Sequence, residues 1–387
     1  MFVNPLNPVS NIPFQYNPNN IQPAPVRPKT SKLPENTLPR YLNFVADYTG
    51  CGHWRMLWPE QILNSYRMCV IQSSTMMVTD PKHFTGVKTV RVQRQASPIQ
   101  EKYLKYLKEE LGLRLVYDID DVCFGDDIPQ YNPFRHAFTD PVINQGIKRM
   151  MKYCDEMTVT TEALRKYYME QTGQQNITVV PNYPPRFWLG GMYDLKRIGR
   201  IYDKHIKRPR ILYPGSSSHF DIHNKNNGID DLSHINDYVV RTLKKYKWVF
   251  VGGAPVQLKK YIESGDIEFH KWSHLYDYPY EILKHEINAT IVPLQDNIFN
   301  RGKSDIKFLE SAALGIPAIC QDIGVYNKCK NLFKTSSDLD KQLNIVLNST
   351  KKKYISICER NYSIVERMWL ELPVNREKIM KIYNVDI

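Results

Sequence analysis

The segment SPIQEKYLKYLKEELGLRLVYDID, residues 97–120, joins an amphipathic helix to a strand with almost no loop between them. Its Ser-Pro start and the glycine at 112 are usual signals for the beginning and the end of a helix. The run RLVYDID (114–120) that follows is apolar at its centre and ends in acids, which predicts a buried strand. A helix that leads directly into a buried strand is typical of an α/β protein with a parallel sheet covered on both faces.

Strand-like runs alternate with helix-like segments along most of the chain. The runs lie at 40–48, 67–74, 87–94, 114–120, 155–161 and 176–182, and again at 209–220, 248–253, 267–272 and 288–294. Because the alternation restarts after 208, we expect two successive α/β units. The predicted segments are an extended Pro/Asn-rich arm (1–39), a first Rossmann-like domain (40–190), a second one (208–336) and C-terminal helices (337–387) that are able to pack back on the first domain.

The composition narrows the class of protein. A chain of 387 residues is long enough for two domains. It contains no apolar run near the roughly 18 residues of a membrane span, and its first residues lack the layout of a signal peptide. The seven cysteines are scattered and form no CxxC pair. We therefore expect reduced thiols, no metal site and a cytoplasmic location, which is the host cytoplasm if the protein is viral.

The formal net charge of +12 concerns partners and not the fold. Basic residues concentrate in KRIGRIYDKHIKRPR (196–210) and RTLKKYK (241–247). Such an excess attracts nucleic acid, an anionic membrane surface or an acidic polymer. A genome that favours lysine codons is the plainer alternative.

The segment NRGKSDIKFLESAALGIPAICQD (300–322) is the strongest functional signal. We predict a helix over 303–314, on which Lys303, Lys307 and Glu310 share one face because they are four and three residues apart. A helix N-terminus with adjacent cations is suited to bind a diphosphate, and a carboxylate one or two turns along can bind ribose hydroxyls. The alternative is a solvated helix end with ordinary ion pairs.

This segment resembles the nucleotide-sugar site of retaining GT-B glycosyltransferases of the group 1 class. In that family a motif of the form E-x7-E ends in EAxAxGxPV, and the run from Glu310 to Ile319 matches its second half. The first Glu of the motif is replaced by Gly302, with Asp305 as a possible substitute. A family branch with K-S-x-x-K-x-x-E agrees better, through Lys303, Ser304, Lys307 and Glu310.

The resemblance implies roles for these residues and for two further landmarks. Glu310 would bind the ribose, and Arg301 with Lys307 would neutralise the diphosphate. Gly215 and Ser216, after the first strand of the second unit, would lie close to the donor phosphates. The segment 155–184 is similar to the end of the family's first domain. The implied fold is α/β, with two Rossmann-like domains whose parallel sheets face each other across a cleft.

The acids at 118–121 allow two interpretations. Asp118 and Asp120 form a D-x-D triplet, which binds a metal and a diphosphate in GT-A enzymes. The resemblance to GT-B enzymes instead makes Asp120 or Asp121 a catalytic carboxylate that orients the acceptor or accepts a proton, without a metal ion. A helix cap or a loop-bracing acid is the plain structural alternative.

Gly50, Cys51, Gly52 and His53 follow the first strand and resemble a Rossmann turn, although no complete GxGxxG is present. In GT-B enzymes the matching loop lines the acceptor side near the transferred sugar, so Gly50, Gly52 and His53 are candidate acceptor and sugar contacts. A turn with a hydrogen-bonded histidine is an equal alternative. We do not expect Cys51 to act as a nucleophile because no base can be paired with it.

The resemblance implies transfer of a hexose from a nucleoside diphosphate, with UDP-glucose as the first choice, to an acceptor hydroxyl. The anomeric configuration would be retained, and no cofactor besides the nucleotide-sugar co-substrate is expected. One acceptor hypothesis is a hydroxymethylated pyrimidine in phage DNA, which agrees with the positive charge. The alternatives are a surface glycan, lipid or protein acceptor, or a non-catalytic nucleic-acid-binding protein of the same fold.

Overall fold

The computed structural model describes residues 38–222 and 228–383, so the predicted arm (1–39) lies outside it except for its last two residues. Internal contacts divide the chain into two compact units. The first, here called the N-unit, comprises the described residues up to Asp120, Phe138–Pro181 and the C-terminal residues from Pro373. The second, the C-unit, comprises Asp121–Ala137 and Asn182–Leu372.

The N-unit is built on a six-stranded sheet in which every pair of neighbouring strands is parallel. Its strands are β1 (Arg40–Phe44), β2 (Val70–Ser74), β3 (Val87–Gln93), β4 (Arg114–Ile119), β5 (Glu156–Val159) and β6 (Ile177–Val179). The order β2-β1-β3-β4-β5-β6 changes direction between β1 and β3. Loops that leave these two strands therefore flank a crevice at the carboxyl edge of the sheet.

Helices cover the N-unit sheet, as the alternation in the sequence predicts. The longer ones are Trp58–Ser65, Pro98–Lys105, Pro141–Tyr153, Glu162–Thr172 and Pro373–Ile382, and π-helical turns at His53–Leu57 and Tyr106–Glu110 adjoin the first two. Ser97 caps the second helix in a capping box with Gln100, which confirms the predicted start.

A buried ion cluster lies at the centre of the N-unit. The carboxylate of Asp118, at the end of β4, accepts hydrogen bonds from Arg55 (2.8 and 3.1 Å), from Arg91 and from the Thr158 hydroxyl (2.6 Å). All four side chains are buried. Arg55 also donates to the Val180 carbonyl at 2.7 Å. Asp118 is thus a structural residue already neutralised by two guanidinium groups, and this donor set does not suit the D-x-D metal alternative.

The C-unit is built on a second six-stranded parallel sheet. Its strands are β7 (Arg210–Gly215), β8 (Lys247–Gly252), β9 (Glu268–His270), β10 (Ala289–Val292), β11 (Ala318–Gln321) and β12 (Leu332–Phe333). The order β12-β11-β10-β7-β8-β9 is the doubly wound Rossmann order, with the change of direction between β7 and β10. Segments that follow these two strands therefore meet at the carboxyl edge.

The C-unit helices include the segment that the sequence singles out. They are Arg186–Leu189, Leu195–Lys204, Asn236–Arg241, Lys259–Glu263, Tyr278–Lys284, Ile298–Gly302, Ile306–Ala313, Ser336–Leu347 and Lys351–Glu366. The helix predicted over 303–314 begins only at Ile306, because the backbone at Lys303 is extended (ψ 156°) and ends the short preceding helix. Lys303 therefore lies before the helix and not on its face. The predicted end at 314 is confirmed to within one residue, since the helix ends at Ala313 and Gly315 follows in a left-handed conformation (φ 73°).

The division between the units differs in position from the predicted domain limits. The chain passes from the N-unit to the C-unit between Pro181 and Asn182, and Asp121–Ala137 belongs to the C-unit. Of the C-terminal helices only Pro373–Ile382 belongs to the N-unit, where the guanidinium of Arg376 lies 3.6 Å from the ring centroid of Tyr66. Among the described residues, no helix combines the length and apolar character needed to cross a bilayer.

We predict that Asp118→Ala destabilises the protein by about 3–5 kcal/mol, because it leaves two buried guanidinium groups without their counter-charge. Urea denaturation of wild type and variant measures the difference. Glu170→Ala, which removes an exposed carboxylate from helix Glu162–Thr172, is the matched control and should change stability by less than about 0.5 kcal/mol. Equal effects of the two substitutions would contradict the structural role of Asp118.

Candidate active site

A histidine after β7 connects an acid and a lysine in the C-unit. Nδ1 of the buried His219 lies 2.6 Å from Asp231 Oδ2, and its Nε2 lies 3.0 Å from the Lys307 Nζ. With Asp231 ionised, Nδ1 donates the hydrogen bond and Nε2 is left to accept one from the ammonium group. Burial, and next the charge of Lys307, lower the pKa of His219 to about 3. The imidazole is therefore neutral at physiological pH and positions the lysine.

Asp231 is the centre of this network. Its Oδ1 accepts hydrogen bonds from the Tyr131 hydroxyl (2.7 Å), the Asn300 amide (2.6 Å) and the Gln295 backbone N–H (2.9 Å). Burial opposes ionisation, but the hydrogen bond from His219 and the other donors lower the pKa of Asp231 below its usual range. The carboxylate is charged and holds together residues that follow both β7 and β10.

Tyr131 reaches the network from the segment Asp121–Ala137. Its hydroxyl also accepts weaker hydrogen bonds from the side-chain amides of Asn297 (3.3 Å) and Asn300 (3.2 Å). Sequence reasoning missed Tyr131 and Asp231 altogether, because both lie in irregular segments without periodicity. Asn300 stands in the segment quoted for the diphosphate site, but nothing marked its side chain as buried.

Two lysines form the positive part of the site. Nζ of Lys307 lies 5.2 Å from the ring centroid of Tyr213, and Nζ of Lys303 lies 4.2 Å from that of Phe299. Lys303 also lies 3.6 Å from the Asp121 carboxylate. Burial, and then the neighbouring charge of Lys303, lower the pKa of Lys307 to about 7. Two cations that repel each other, one of them poorly solvated, favour the binding of an anion.

Glu310 lies one turn after Lys307 on helix Ile306–Ala313, so the predicted shared face is present for these two residues. Tyr278 is close enough to Glu310 for the two side chains to influence each other's ionisation. Burial raises the pKa of Glu310 to about 8, although Lys307 and Tyr278 act in the opposite direction. The site therefore contains a carboxyl group that is partly protonated near neutral pH.

An aromatic surface continues from Tyr278. The ring of Trp272 lies 5.4 Å from that of Tyr278 and is 47% exposed. The indole occupies the space into which a side chain at Gly252 would project, and the carbonyl of Gly215 lies on the same side. Gly252 also has a left-handed backbone (φ 97°), so glycine is required there. The ends of β7 and β8 thus present bare backbone beside a half-exposed indole.

The remaining predicted donor residues have ordinary partners. The Ser216 hydroxyl is 2.6 Å from that of Ser218, and the Ser304 hydroxyl accepts a hydrogen bond from the Asn182 amide at 3.0 Å. Arg301 is bound to Asp296 (2.6 and 3.0 Å) in a surface ion pair, and its side chain is 62% exposed. The structure therefore groups Lys303, rather than Arg301, with Lys307.

The predicted catalytic acids lie in different units. Asp121 belongs to the C-unit, where it pairs with Lys303. Asp120 belongs to the N-unit, where its Oδ1 lies 3.8 Å from Nε of Arg94. Arg94 follows β3, has a left-handed backbone (φ 52°) and binds Asp47 at 2.6 Å. A non-glycine residue in this conformation is a mark of functional or strained positions, and sequence patterns had not singled out Arg94.

The predicted acceptor loop lies at the same edge of the N-unit sheet. Asp47 accepts hydrogen bonds from the backbone N–H groups of Thr49 (2.8 Å) and Gly52 (3.2 Å). The backbone of Asp47 leaves no space for a side chain at Gly52, whereas Gly50 faces open space. His53 is 2.8 Å from the Thr49 carbonyl oxygen through Nδ1. These contacts show a braced turn, and they agree equally with both alternatives for His53.

Comparison with solved structures finds the same architecture. The Anabaena protein Alr3699/HepE, crystallised in complex with UDP-glucose, superposes with a TM-score of 0.57 at 9% identity, covering 89% of this chain and 99% of that one. TarM superposes with a TM-score of 0.50 at 12% identity, covering 76% of this chain and 54% of that one. The chain has the fold of GT-B glycosyltransferases.

This GT-B chain spans only about half the length of TarM. Its sequence matches no protein-family model, and no curated protein matches it by sequence. At these low identities the superpositions establish the fold. The roles of individual residues rest on the contacts described above.

We predict that Asp231→Asn lowers the free energy of unfolding by about 1.5–3 kcal/mol, because hydrogen bonds to a charged group are lost and His219 is left without its anion. Thermal or urea unfolding measures the change. Asp296→Asn breaks the surface ion pair with Arg301 and should cost no more than about 1 kcal/mol. If Asp231→Asn is as mild as this control, Asp231 is not the centre of the network.

Proposed function

We propose that the chain is a glycosyltransferase that takes a hexose from a nucleoside diphosphate sugar. The observation that carries the proposal is the grouping of Lys303, Lys307 and Glu310 beside bare backbone at the carboxyl edge of the C-unit sheet. In doubly wound sheets this edge, at the change of direction between β7 and β10, is where ligands bind. The GT-B fold agrees with this activity.

The lysines are suited to the diphosphate. Lys307 is partly buried, oriented by His219, and has a lowered pKa because its charge is poorly solvated and faces Lys303. A diphosphate would supply the missing counter-charge, and the N-terminus of helix Ile306–Ala313 adds a favourable dipole. As the donor bond breaks, the same groups would stabilise the charge that develops on the leaving nucleotide. We infer that no metal ion is needed for this step.

Glu310 and the aromatic surface are suited to the nucleoside. The carboxyl group of Glu310, beside Tyr278, can bind a ribose hydroxyl, and the half-exposed Trp272 offers a flat surface for a base. The Anabaena protein was crystallised with UDP-glucose, which makes this nucleotide sugar the first donor to test. Gly215 and Ser216 are the backbone segment proposed to approach the phosphates.

On the N-unit we propose Asp120 as the carboxylate that orients the acceptor hydroxyl or accepts its proton, with Arg94 as its positioning partner. Gly50, Gly52 and His53 remain the proposed acceptor and sugar contacts. Retention of configuration would follow if the acceptor attacks from the face that the diphosphate leaves. This route requires no enzyme nucleophile. It agrees with the ion pairs of Asp120 and Asp121, because a carboxylate paired with a cation is a weaker nucleophile.

For the acceptor we propose a hydroxymethylated pyrimidine in duplex DNA. The support is the net charge of +12, which favours a polyanionic partner over a neutral one. A glycan, lipid or protein acceptor and a non-catalytic nucleic-acid-binding role are the alternatives that the experiment separates.

A panel of nucleotide sugars, each combined with duplex DNA with or without hydroxymethylated bases or with anionic vesicles, tests the function. We expect release of nucleoside diphosphate and a mass increase of the modified DNA by one hexose per base. Transfer only to a lipid or glycan would contradict the DNA acceptor while keeping the activity. DNA binding without turnover of any sugar nucleotide would contradict the enzyme assignment itself.

We predict that Lys307→Ala lowers kcat/KM for the donor by at least about 100-fold, the usual cost of removing a group that stabilises the transition state, and that Glu310→Ala lowers it by at least about 10-fold because a hydrogen bond to the ribose is lost. Circular dichroism should show both variants folded. Lys284→Ala, which removes an exposed lysine paired with Glu281 in the same unit, is the matched control and should leave kcat/KM unchanged. Normal kinetics in both site variants would remove the assignment.

UDP binding should weaken as the pH rises above about 7. In the free protein Lys307 loses its proton near this pH, whereas a bound diphosphate favours the charged form and raises its pKa. Binding therefore takes up a proton, and affinity falls by up to about tenfold per pH unit above the free pKa. Calorimetric titration at pH 7–9 with wild type and Lys307→Met measures the effect. A slope that is the same in both proteins would refute it.

A further inference from the structure

A second cluster of chemically active side chains lies at β9, an edge strand of the C-unit sheet. Strand β9 is separated from β10 by β7 and β8. Glu268 and His270 are two residues apart on β9 and so project to the same face of the sheet. His285 joins them from the end of helix Tyr278–Lys284, of which it is the C-terminal cap. Within residues 38–222 and 228–383, these three are the group of His, Cys, Asp or Glu side chains whose potential metal-ligand atoms all lie within 4.8 Å of one another.

The three side chains converge on one carboxylate oxygen. Oε1 of Glu268 lies 2.8 Å from Nε2 of His270 and 3.8 Å from Nδ1 of His285. In a four-coordinate zinc site with bonds of about 2.0–2.2 Å, ligand atoms are roughly 3–4 Å apart. Only small side-chain movements therefore separate this arrangement from a coordination triangle.

The carboxylate is held in place from outside the cluster. The guanidinium of Arg210, at the start of β7, donates to both oxygens of Glu268 (2.9 and 2.8 Å) and to the His285 carbonyl (2.6 Å). Such outer hydrogen bonds to a ligating carboxylate are usual around protein metal sites. The positive charge of Arg210 also balances the negative charge of Glu268, so neither histidine is needed for that purpose.

The two imidazoles remain to be explained. Their ring centroids are 3.9 Å apart, a distance at which two protonated rings repel each other. Both rings nevertheless present a nitrogen to the same oxygen of Glu268, His270 through Nε2 and His285 through Nδ1. A cation between them would satisfy both groups.

We propose that Glu268, His270 and His285 bind a divalent transition-metal ion, with Zn²⁺ best matched to two imidazole nitrogens and one carboxylate oxygen. Water would complete the coordination, since Glu268 and His270 are partly exposed (26% and 37%). The ion would tie the edge strand β9 to the end of helix Tyr278–Lys284. Because Arg210 places a positive charge nearby, affinity should be lower than in closed four-ligand sites.

This inference is independent of the glycosyltransferase proposal, and it revises the expectation of no metal site. That expectation considered the cysteine spacing and the acids at 118–121, and not these three residues. Residues 268, 270 and 285 have no spacing that marks a site, because a strand and a helix end bring them together. The ion would be a structural element of the C-unit, and no catalytic step is assigned to it.

Metal titration of the full chain, stripped with a chelator and desalted, tests the site. We expect one equivalent of Co²⁺ to bind with the intense visible d–d absorption of a four-coordinate complex and to be displaced by Zn²⁺. Zn²⁺ in hundredfold excess over its Kd should raise Tm by about 5 °C or more, whereas Mg²⁺ should not. An unchanged Tm in Zn²⁺ would overturn the proposal.

Variants separate this site from adventitious binding. His270→Ala and His285→Gln should each weaken Co²⁺ binding by at least about 100-fold, the upper end of the loss caused by removing an outer-shell partner. His274→Ala removes a nearby histidine outside the cluster and is the control that should bind normally. Wild-type titration curves in both site variants would show that the metal binds elsewhere and would refute the assignment.

Discussion

The buried carboxylate of Asp231 is the interaction on which the C-unit site depends. A charge with 1% exposure is stable only when donors surround it, and here they come from three separate segments, through Tyr131, His219 and Asn300. Movement of any of these segments would remove a hydrogen bond from the buried charge. The position of Lys307 is set through His219 and is therefore a consequence of the same constraint.

The two units contain opposite kinds of buried electrostatics. In the N-unit the carboxylate of Asp118 accepts hydrogen bonds from two guanidinium groups and a hydroxyl, so its own charge is fully compensated and it serves stability. In the C-unit Lys307 faces another lysine and a neutral histidine, and its pKa is lowered first by burial and then by the charge of Lys303. Cationic groups that are fixed in position before an anionic ligand binds are the usual form of catalytic preorganisation.

Much of the fold could be predicted because it depends on local pattern. The alternation of strands and helices predicted two parallel sheets, and the capping residues Ser97 and Gly315 marked real helix ends. Spacing also placed Lys307 and Glu310 on one helix face. The error over Lys303 arose because an extended residue interrupts the segment, and periodicity continues across such a break unnoticed.

The sequence by itself therefore determined the features that depend on residues close together in the chain. These are the type of each element, the ends of the helices and the residues that share a helix face. Only the tertiary structure distinguished Asp118 in the core from Asp120 at the sheet edge, and placed Asp121 and Tyr131 in the C-unit. It alone assembled Asp231 with His219, and Glu268 with His285. The physical reason is that these charges are satisfied by partners far away in sequence, and hydrogen bonds of that kind leave no period or spacing in the chain.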